Sequence, residues 1–324
     1  MADWSNQLMA VTVLTYLAAM VCYAAEYAFG DRSHIGRAAV RPARQLVGAG
    51  APAEPPADYD VAAGAVARRD RGALFGLIGV GLNWLAFALH LGTAVTRGLA
   101  AGRMPWGNMY EFIIAVTLVG SAVWLGVLTR RPAVRHLGLF VTLALVVLLG
   151  AAGLIAYTPV GPLVPALNSY WYIVHVSTII LSSGIFLIGA VPAAMFLIKT
   201  GHDQGKRRFP YPLGAKVPAA VTLERLTFRL HAFAFPLFTF GALIAGPLWA
   251  EASWGRYWGW DPKEVWAFIS WVVYAAYLHA RATPSVKRTT ATWIALVGFA
   301  TMLMNLFGVN LFFEGLHSYA NAGG

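Results

Sequence analysis

Eight apolar runs, each about 20 residues long, constrain the fold of this chain more than any other feature of its sequence. About 20 residues of α-helix cross the roughly 30 Å hydrocarbon core of a bilayer. Only 12% of the residues are charged and 58% are hydrophobic, a composition far too apolar for a soluble globular chain. The sequence therefore predicts an all-α, polytopic integral membrane protein with about eight transmembrane helices, near residues 8–29, 72–96, 109–129, 136–157, 171–198, 226–250, 263–281 and 289–312.

The distribution of Lys and Arg predicts how these spans are oriented. Nineteen of the 24 basic residues fall in four alternate loops, the other loops and the termini hold four, and Arg229 lies just inside a span. Loops rich in Lys and Arg stay in the cytoplasm. We therefore expect both termini on the outer side of a plasma (inner) membrane. The net charge of +10 is then an orientation signal that implies no nucleic-acid partner. The four basic loops are residues 30–71, 130–135, 199–225 and 281–288.

Two parts of unequal size are predicted. Residues 1–71 comprise the first span and a cytoplasmic linker, whose APAEPPADYD stretch has little apolar surface to bury. Residues 72–324 hold the other seven spans and their loops. No Lys or Arg precedes the first run and it lacks a convincing cleavage site, so we predict a retained span rather than a signal peptide. The single cysteine, Cys22, excludes an internal disulfide and a CxxC redox pair.

Residues 251–266, EASWGRYWGWDPKEVW, form the most distinctive stretch and fall in the outer loop between spans six and seven. Five of the 12 tryptophans of the chain lie within 18 consecutive residues here. An interfacial aromatic belt is the ordinary explanation for Trp at this depth, but it does not account for such a density. Trp254, Trp258 and Trp260, brought together with Tyr257 on a short amphipathic segment, would form a flat apolar platform that suits a large planar ligand.

The same stretch ends in a helix start. Asp261 occupies the position of an N-cap, Pro262 the first helical position, and Glu264 the third, where its carboxylate would close a capping box. We therefore interpret Asp261 as a cap rather than as a catalytic acid. The cap matters to any site nearby, because it fixes how the aromatic stretch joins span seven.

The string WGRYWGWDPKEVW closely resembles the tryptophan-rich WWD signature of haem-handling membrane proteins in c-type cytochrome biogenesis. The surrounding spans resemble the CcsA (ResC) family of the two-component System II pathway, over roughly residues 70–320. The resemblance implies that the bound substrate is haem b (iron protoporphyrin IX). It also implies that the WWD segment contacts this haem through Trp254, Gly255, Trp258, Trp260 and Asp261.

The histidines separate by their predicted depth. Three of them lie in or beside cytoplasmic loops and are expected to be solvated, namely His34, His136 and His202. His175 lies near the outer end of span five, about 6 Å along the helix, and His317 follows span eight on the same side. In the CcsA family two external histidines flank the WWD segment, and these two positions match them. The resemblance therefore implies that His175 and His317 bind the haem iron from opposite faces.

A second haem site is implied deeper in the bundle. His279 lies in span seven near the cytoplasmic face, where a histidine is costly unless it is paired or ligating. The family has a transmembrane histidine at the matching place, and its second iron ligand is attributed to the partner subunit, CcsB (ResB). His231 is this chain's own candidate for that ligand, although we favour a structural role for it.

Three further residues are weaker candidates for the outer site. His90, in span two, could line it, but a hydrogen-bonded histidine within the bundle is the simpler interpretation. Arg103 and Glu111 lie on the outer side and could contact haem propionates or the acceptor protein. For Glu111 the alternative is an acid favoured by the dipole at a helix start.

The resemblance also implies a function and its partners. Haem is exported or received and presented at the outer face, where thioethers form between its vinyl groups and the CxxCH thiols of an apocytochrome c. The expected partners are a CcsB/ResB-type membrane subunit, the apocytochrome c and thioredoxin-like thiol reductant proteins. The chain would be a subunit of a holocytochrome c synthase (cytochrome c haem lyase) complex, and no residue is identified as catalytic.

Two alternatives to this function remain. A haem exporter or carrier would use the same site without attachment activity. A respiratory cytochrome b subunit would carry closely spaced His pairs on one helix, but successive histidines here are at least 27 residues apart. This spacing disfavours the second alternative.

Overall fold

The computed structural model describes residues 1–29 and 71–317, and in this part of the chain it contains helices and no strand. The predicted linker and His34 lie outside the described residues, and the division of the chain into two parts stays a prediction. The first half of the chain forms α1 (Ala2–Phe29), α2 (Arg71–Ala101), α3 (Met109–Arg130), α4 (Gly138–Ile155, after a 3₁₀ turn at Pro132–Leu137) and α5 (Tyr170–Asp203).

The second half contains two helical rods that are each interrupted by a π-turn, with one uninterrupted helix between them. A π-turn inserts one residue into an α-helix, so its carbonyl groups no longer follow the regular ladder. The elements in order are α6 (Ala220–Phe240), the first π-turn (Gly241–Ala245), α7 (Gly246–Trp254), α8 (Pro262–Ala282), α9 (Arg288–Leu303), the second π-turn (Met304–Gly308) and α10 (Val309–Phe312). Short 3₁₀ turns at Pro165–Leu167 and Tyr211–Ala215 flank α5.

Seven helical stretches in the described residues are long and apolar enough to cross a membrane, and each overlaps one of the predicted spans. The eighth predicted span is α8, a helix of 21 residues. Its length corresponds to about 32 Å at the usual rise per residue, but charged residues near its ends make it less apolar than the others. The prediction of an all-α, polytopic membrane protein is confirmed.

Side-chain contacts define two ends of the bundle. At the end that we name the Trp end, the side chains of Trp249 and Ser253 donate to Ala166 O, in the loop after α4, each at 2.9 Å. At the same end Tyr172 Oη donates to Trp106 O, in the loop after α2, and Ser5 Oγ donates to Thr93 O at 3.2 Å. At the opposite, basic end, Arg281 of α8 pairs with Glu224 of α6. Helix α8 therefore runs from one end to the other. The start of α1 and the end of α10 both lie at the Trp end, and the side of the membrane that this end faces stays a prediction.

Helix α5 lies at the centre of the bundle. It packs against α3, α6, α7 and α9, and most of its apolar length is buried. An apolar helix that neighbouring helices surround is held by packing rather than by its own propensity. His175 lies on this helix near the Trp end, so neighbours on several sides fix the backbone that carries it.

A buried charge cluster holds the loops together at the Trp end. The Glu111 carboxylate is fully buried in the first turn of α3 and pairs with Arg97 at 3.0 Å and with Arg103 at 2.7 Å. It also accepts the backbone N–H of Gly107 at 2.7 Å. Arg103 in turn donates to Gly161 O at 3.2 Å, in the loop after α4. Glu111 is thus an acid at a helix start, which was one of its two interpretations from the sequence. Through Arg103 it also joins the loop before α3 to the loop after α4.

Removing this carboxylate is expected to destabilise the protein strongly. Glu111→Ala leaves two guanidinium groups at the Trp end without their shared counter-ion, and the loss of one partner of a buried ion pair costs about 3–5 kcal/mol. The free energy of unfolding can be measured by denaturant titration of the detergent-solubilised protein. The control is Asp203→Ala, which breaks the exposed Lys199–Asp203 pair and should cost less than about 1 kcal/mol. Equal effects of the two variants would contradict a structural role of the cluster.

Candidate functional site

An apolar cavity opens into the bundle from the Trp end. Its volume is about 210 Å³. The walls come from α3, α5, the α6–α7 rod, α8 and the α9–α10 rod, together with the loop before α3. His175 and His317 both line it. Its other aromatic, polar and charged lining residues include Trp106, Tyr172, Trp249, Trp254, Trp258, Lys263, Glu264 and Asn305.

The first π-turn fixes the orientation of His175. The His175 Nδ1 atom lies 2.8 Å from the carbonyl oxygen of Gly241, the first residue of that turn. A carbonyl only accepts hydrogen bonds, so Nδ1 carries the ring proton and the lone pair of the imidazole is on Nε2. Gly246 makes room for the ring, because a Cβ at this position would lie 3.2 Å from His175 Cε1.

Asp261 fixes the orientation of His317. The His317 Nδ1 atom lies 2.7 Å from Asp261 Oδ1, and the backbone N–H of Leu316 donates to Asp261 Oδ2, also at 2.7 Å. The carboxylate is the acceptor, so here too the lone pair of the imidazole is on Nε2. Hydrogen bonds of this kind from Nδ1 to a carboxylate or a carbonyl are the usual way in which proteins orient a metal-binding histidine.

Trp249 contacts both of these histidines. Its ring is stacked with that of His175 at a centroid distance of 5.5 Å and an interplanar angle of 9°, and it meets the His317 ring at 5.6 Å. Its indole N–H donates to Ala166 O at 2.9 Å. Trp249 falls in the apolar run of span six, so the sequence did not distinguish it from the other residues of a transmembrane helix. Its position in a helix just before the Trp-rich stretch was the only signal.

The Trp-rich stretch does not form one flat platform on a short amphipathic segment, so that expectation is wrong. Helix α7 ends at Trp254, and Gly255 follows in the left-handed region at φ 68°. Trp258 lines the cavity, whereas Trp260 is 67% exposed and the planes of these two rings are at 87°. The reason is the backbone: Gly255 ends the helix, and Trp260 itself has φ 57°, so the chain turns between successive rings.

Within this stretch the residues have different surroundings. Trp254 packs edge-to-face against His317 at 5.1 Å and against Trp249 at 4.8 Å. Tyr257 is 58% exposed at the rim. The cavity wall therefore receives Trp254 and Trp258 from the stretch, while Tyr257 and Trp260 face outward.

Asp261 is a helix cap and a histidine partner at once. Its side chain accepts the backbone N–H of Lys263 at 3.1 Å, and its own backbone N–H donates to Glu264 at 3.1 Å, which confirms the predicted capping box. Burial by itself raises the pKa of the Asp261 carboxyl. The hydrogen bond with His317 and the two backbone donors outweigh burial and hold this pKa below its usual value.

The second π-turn contacts the same region. The Lys263 ammonium donates to Asn305 O at 3.3 Å, within the turn Met304–Gly308, and both residues line the cavity. Each π-turn therefore offers a carbonyl to a side chain of the site, His175 in one case and Lys263 in the other. Sequence reasoning identified neither turn, since the apolar runs that contain them continue without interruption.

The inner histidines do not come together in the described contacts. His279 is exposed on α8 towards the basic end. His231 is buried on α6, where its Nδ1 lies 2.8 Å from Thr227 O and its ring contacts Phe186 and two tyrosines. This arrangement favours the structural role for His231.

Other predicted positions lie away from the cavity wall. His90 is fully buried, with Nε2 at 3.0 Å from Ile114 O and Nδ1 at 3.4 Å from Tyr16 Oη, which fits a hydrogen-bonded bundle histidine. Arg103 and Glu111 belong to the charge cluster and do not line the cavity. His136 and His202 lie towards the basic end but are partly buried rather than fully solvated.

The fold and the cavity together define a polytopic membrane protein with a histidine- and tryptophan-lined site at one end of its bundle. Residues 106–317, which include both outer histidines and the Trp-rich stretch, match the family described as Cytochrome C assembly protein. The chain belongs to this family and, within it, is a CcsA family member. It therefore has a role in cytochrome c biogenesis.

Curated relatives cover most of this chain. It is 36% identical over 239 residues to the cytochrome c biogenesis protein CcsA of Guillardia theta, across 69% of this chain and 79% of the relative. It is 31% identical over 291 residues to the CcsA protein of Gloeobacter violaceus, across 75% and 86%. Among solved structures, the cytochrome c haem lyase CcmF has a similar fold, with a TM-score of 0.62 at 15% identity. That comparison covers 99% of this chain and 48% of CcmF.

The depressed pKa of Asp261 predicts a pH dependence of stability. The ionised carboxylate stabilises the folded protein fully at pH values above the ordinary pKa of Asp, about 4. This stabilisation is lost as the pH falls through the lower pKa that Asp261 has in the folded protein. The difference in unfolding temperature between wild type and Asp261→Asn should narrow below about pH 4, where the Asp261 carboxylate takes up a proton. Asp203→Asn, in an exposed pair, is the control. A difference that stays constant down to pH 3 would contradict the prediction.

Proposed function

We propose that this protein holds haem at the Trp end between His175 and His317 and presents it for thioether attachment to the CxxCH motif of an apocytochrome c. The haem is the bound substrate rather than a resident cofactor. The attachment activity belongs to a complex with a CcsB/ResB-type membrane subunit, so the chain is one subunit of a holocytochrome c synthase. Thioredoxin-like proteins that reduce the acceptor thiols complete the set of proposed partners.

One observation carries this proposal. Two imidazoles with fixed Nδ1 atoms both contact Trp249 in a single apolar cavity, which gives each ring an Nε2 lone pair suited to iron. In residues 1–29 and 71–317 there is no group of three or more His, Cys, Asp and Glu side chains that could hold a metal ion. Two imidazoles alone suit a metal whose other positions a macrocycle already fills, and haem iron is such a metal.

The site residues would bind and orient haem rather than perform chemistry on it. The imidazoles fix the iron, and the apolar wall, which includes Trp254 and Trp258, excludes water from the porphyrin. Each acceptor thiol then adds across a vinyl double bond: sulfur bonds to one carbon, the thiol proton goes to the other, and no net oxidation occurs. The thiols come from the acceptor, which agrees with a chain that has one cysteine.

An inner haem site at His279 is the second part of the proposal. His279 is exposed on α8 towards the basic end, and the structure describes no second histidine beside it. An exposed histidine on a membrane-crossing helix suits an interface with a partner subunit that supplies the other ligand. Haem would enter there and move towards the Trp end.

Removing either outer histidine should abolish the bis-imidazole haem spectrum of the outer site. His175→Gly and His317→Gly each remove one ligand and leave a space that free imidazole can fill, so imidazole in the buffer should restore the spectrum. Absorption spectra of the purified complex, and haem covalently bound to a co-expressed c-type cytochrome, are the two measurements. His202→Ala, towards the basic end, is the control. Haem attachment that persists in both glycine variants would contradict the proposal that these histidines present haem for attachment.

The inner site gives a separate prediction with a matched pair of variants. His279→Ala should lower the haem content of the complex and of the outer site, because it removes a ligand that haem needs on entry. His231→Phe keeps a ring in the buried position and should retain haem, with a lower unfolding temperature as its only effect. Haem loss in the His231 variant but not in the His279 variant would indicate that His231, and not His279, is the iron ligand.

A further inference from the structure

One charged side chain of the cavity wall is not explained by the two histidines. Lys263, at the start of α8, lines the cavity, and its ammonium has a single described hydrogen bond, to Asn305 O at 3.3 Å. In the described residues it forms no ion pair. Three buried glutamates of the bundle already pair with arginines, namely Glu26, Glu111 and Glu224. The Asp261 carboxylate attracts this ammonium, but its one described hydrogen bond is long, and a charged group in an apolar wall is costly. It therefore suits an anionic group of a ligand.

Lys263 is joined to the histidine site through a single atom. Asp261 Oδ1 accepts both the backbone N–H of Lys263 at 3.1 Å and the Nδ1–H of His317 at 2.7 Å. The start of α8 and one proposed iron ligand are therefore held in a fixed relation. A molecule bound at His317 has Lys263 on the neighbouring wall of the same cavity.

A buried indole adds a second donor. Trp258 lines the cavity five residues before Lys263, and its Nε1 atom is buried without a hydrogen-bond partner. This N–H group is therefore available to donate to an acceptor on a ligand in the cavity. A carboxylate accepts hydrogen bonds from an ammonium and from an indole N–H at the same time.

The geometry points to Lys263, with the indole N–H of Trp258, as the binding site for a haem propionate carboxylate. This inference rests on the proposed function and names the edge of the haem that faces α8. Propionate and vinyl groups occupy opposite edges of the porphyrin. Holding a propionate at Lys263 therefore directs the vinyl groups away from α8, so Lys263 acts as a positioning residue for the edge that receives the thiols.

The test compares haem with its dimethyl ester, in which both propionates are esterified and uncharged. The full chain is titrated with each ligand in detergent, and binding is read from the bis-imidazole spectrum. Wild type should bind haem about tenfold or more tightly than the ester, the scale of a hydrogen bond between charged groups. Lys263→Met should abolish most of this preference, because it removes the ammonium group. Met has a side chain of similar length and keeps the backbone N–H that donates to Asp261, so the start of α8 should be unchanged.

Three further variants make the comparison specific. Lys263→Arg keeps the charge and should retain the preference for haem. Trp258→Phe keeps the ring but removes the N–H group, and should reduce the preference in part. Lys199→Met removes the same charge near the basic end and should behave as wild type. Any difference in how haem and its ester partition into detergent is common to all variants and cancels in the comparison.

The outcomes separate this inference from the proposed function. If wild type binds haem and the ester equally, or if Lys263→Met still prefers haem as wild type does, the carboxylate site is wrong while the histidine site stands. If neither ligand gives a bis-imidazole spectrum that depends on His175 and His317, the proposed function fails first. A preference that Lys263→Met loses and Lys263→Arg retains would support the assignment.

Discussion

The requirement that every backbone carbonyl within a bilayer find a donor underlies the whole of this structure. Regular helices satisfy it internally, which makes the chain a bundle of long helices. The two π-turns are local departures from that regularity, and both occur beside the cavity. At each of them a carbonyl accepts a side-chain donor, from His175 at Gly241 and from Lys263 at Asn305. The site is therefore built where the helices depart from the regular ladder.

A single carboxylate connects the parts of the site that are distant in sequence. Asp261 caps α8, accepts the Nδ1–H of His317 and accepts the backbone N–H of Leu316. It thereby joins the Trp-rich stretch, the start of α8 and the segment that follows α10. The ordinary role of an N-cap and the orientation of a proposed iron ligand are thus two uses of the same group. The capping pattern in the sequence correctly predicted Asp261 as an N-cap, but it gave no sign that the same carboxylate contacts His317.

The sequence predicted the elements well because membrane helices and caps are determined by short-range patterns. Apolar runs of spanning length correspond to the observed helices, and Asp261, Pro262 and Glu264 form the predicted helix start. The flat aromatic platform was wrong because ring orientation depends on single backbone angles. The left-handed residues Gly255 and Trp260 turn the chain between one ring and the next, and no pattern of residue types gives those angles.

By itself, the sequence determined that this chain is a bundle of membrane helices with basic loops on one side, and its Trp-rich motif indicated the family. These properties depend on composition and local spacing, which a single chain displays directly. Only the tertiary structure decided that Trp249 contacts both His175 and His317. It also decided that Glu111 holds loops rather than lining the cavity, and that Lys263 does line it. Those relations depend on which helices and loops pack against one another, and they exist only once the helices have packed.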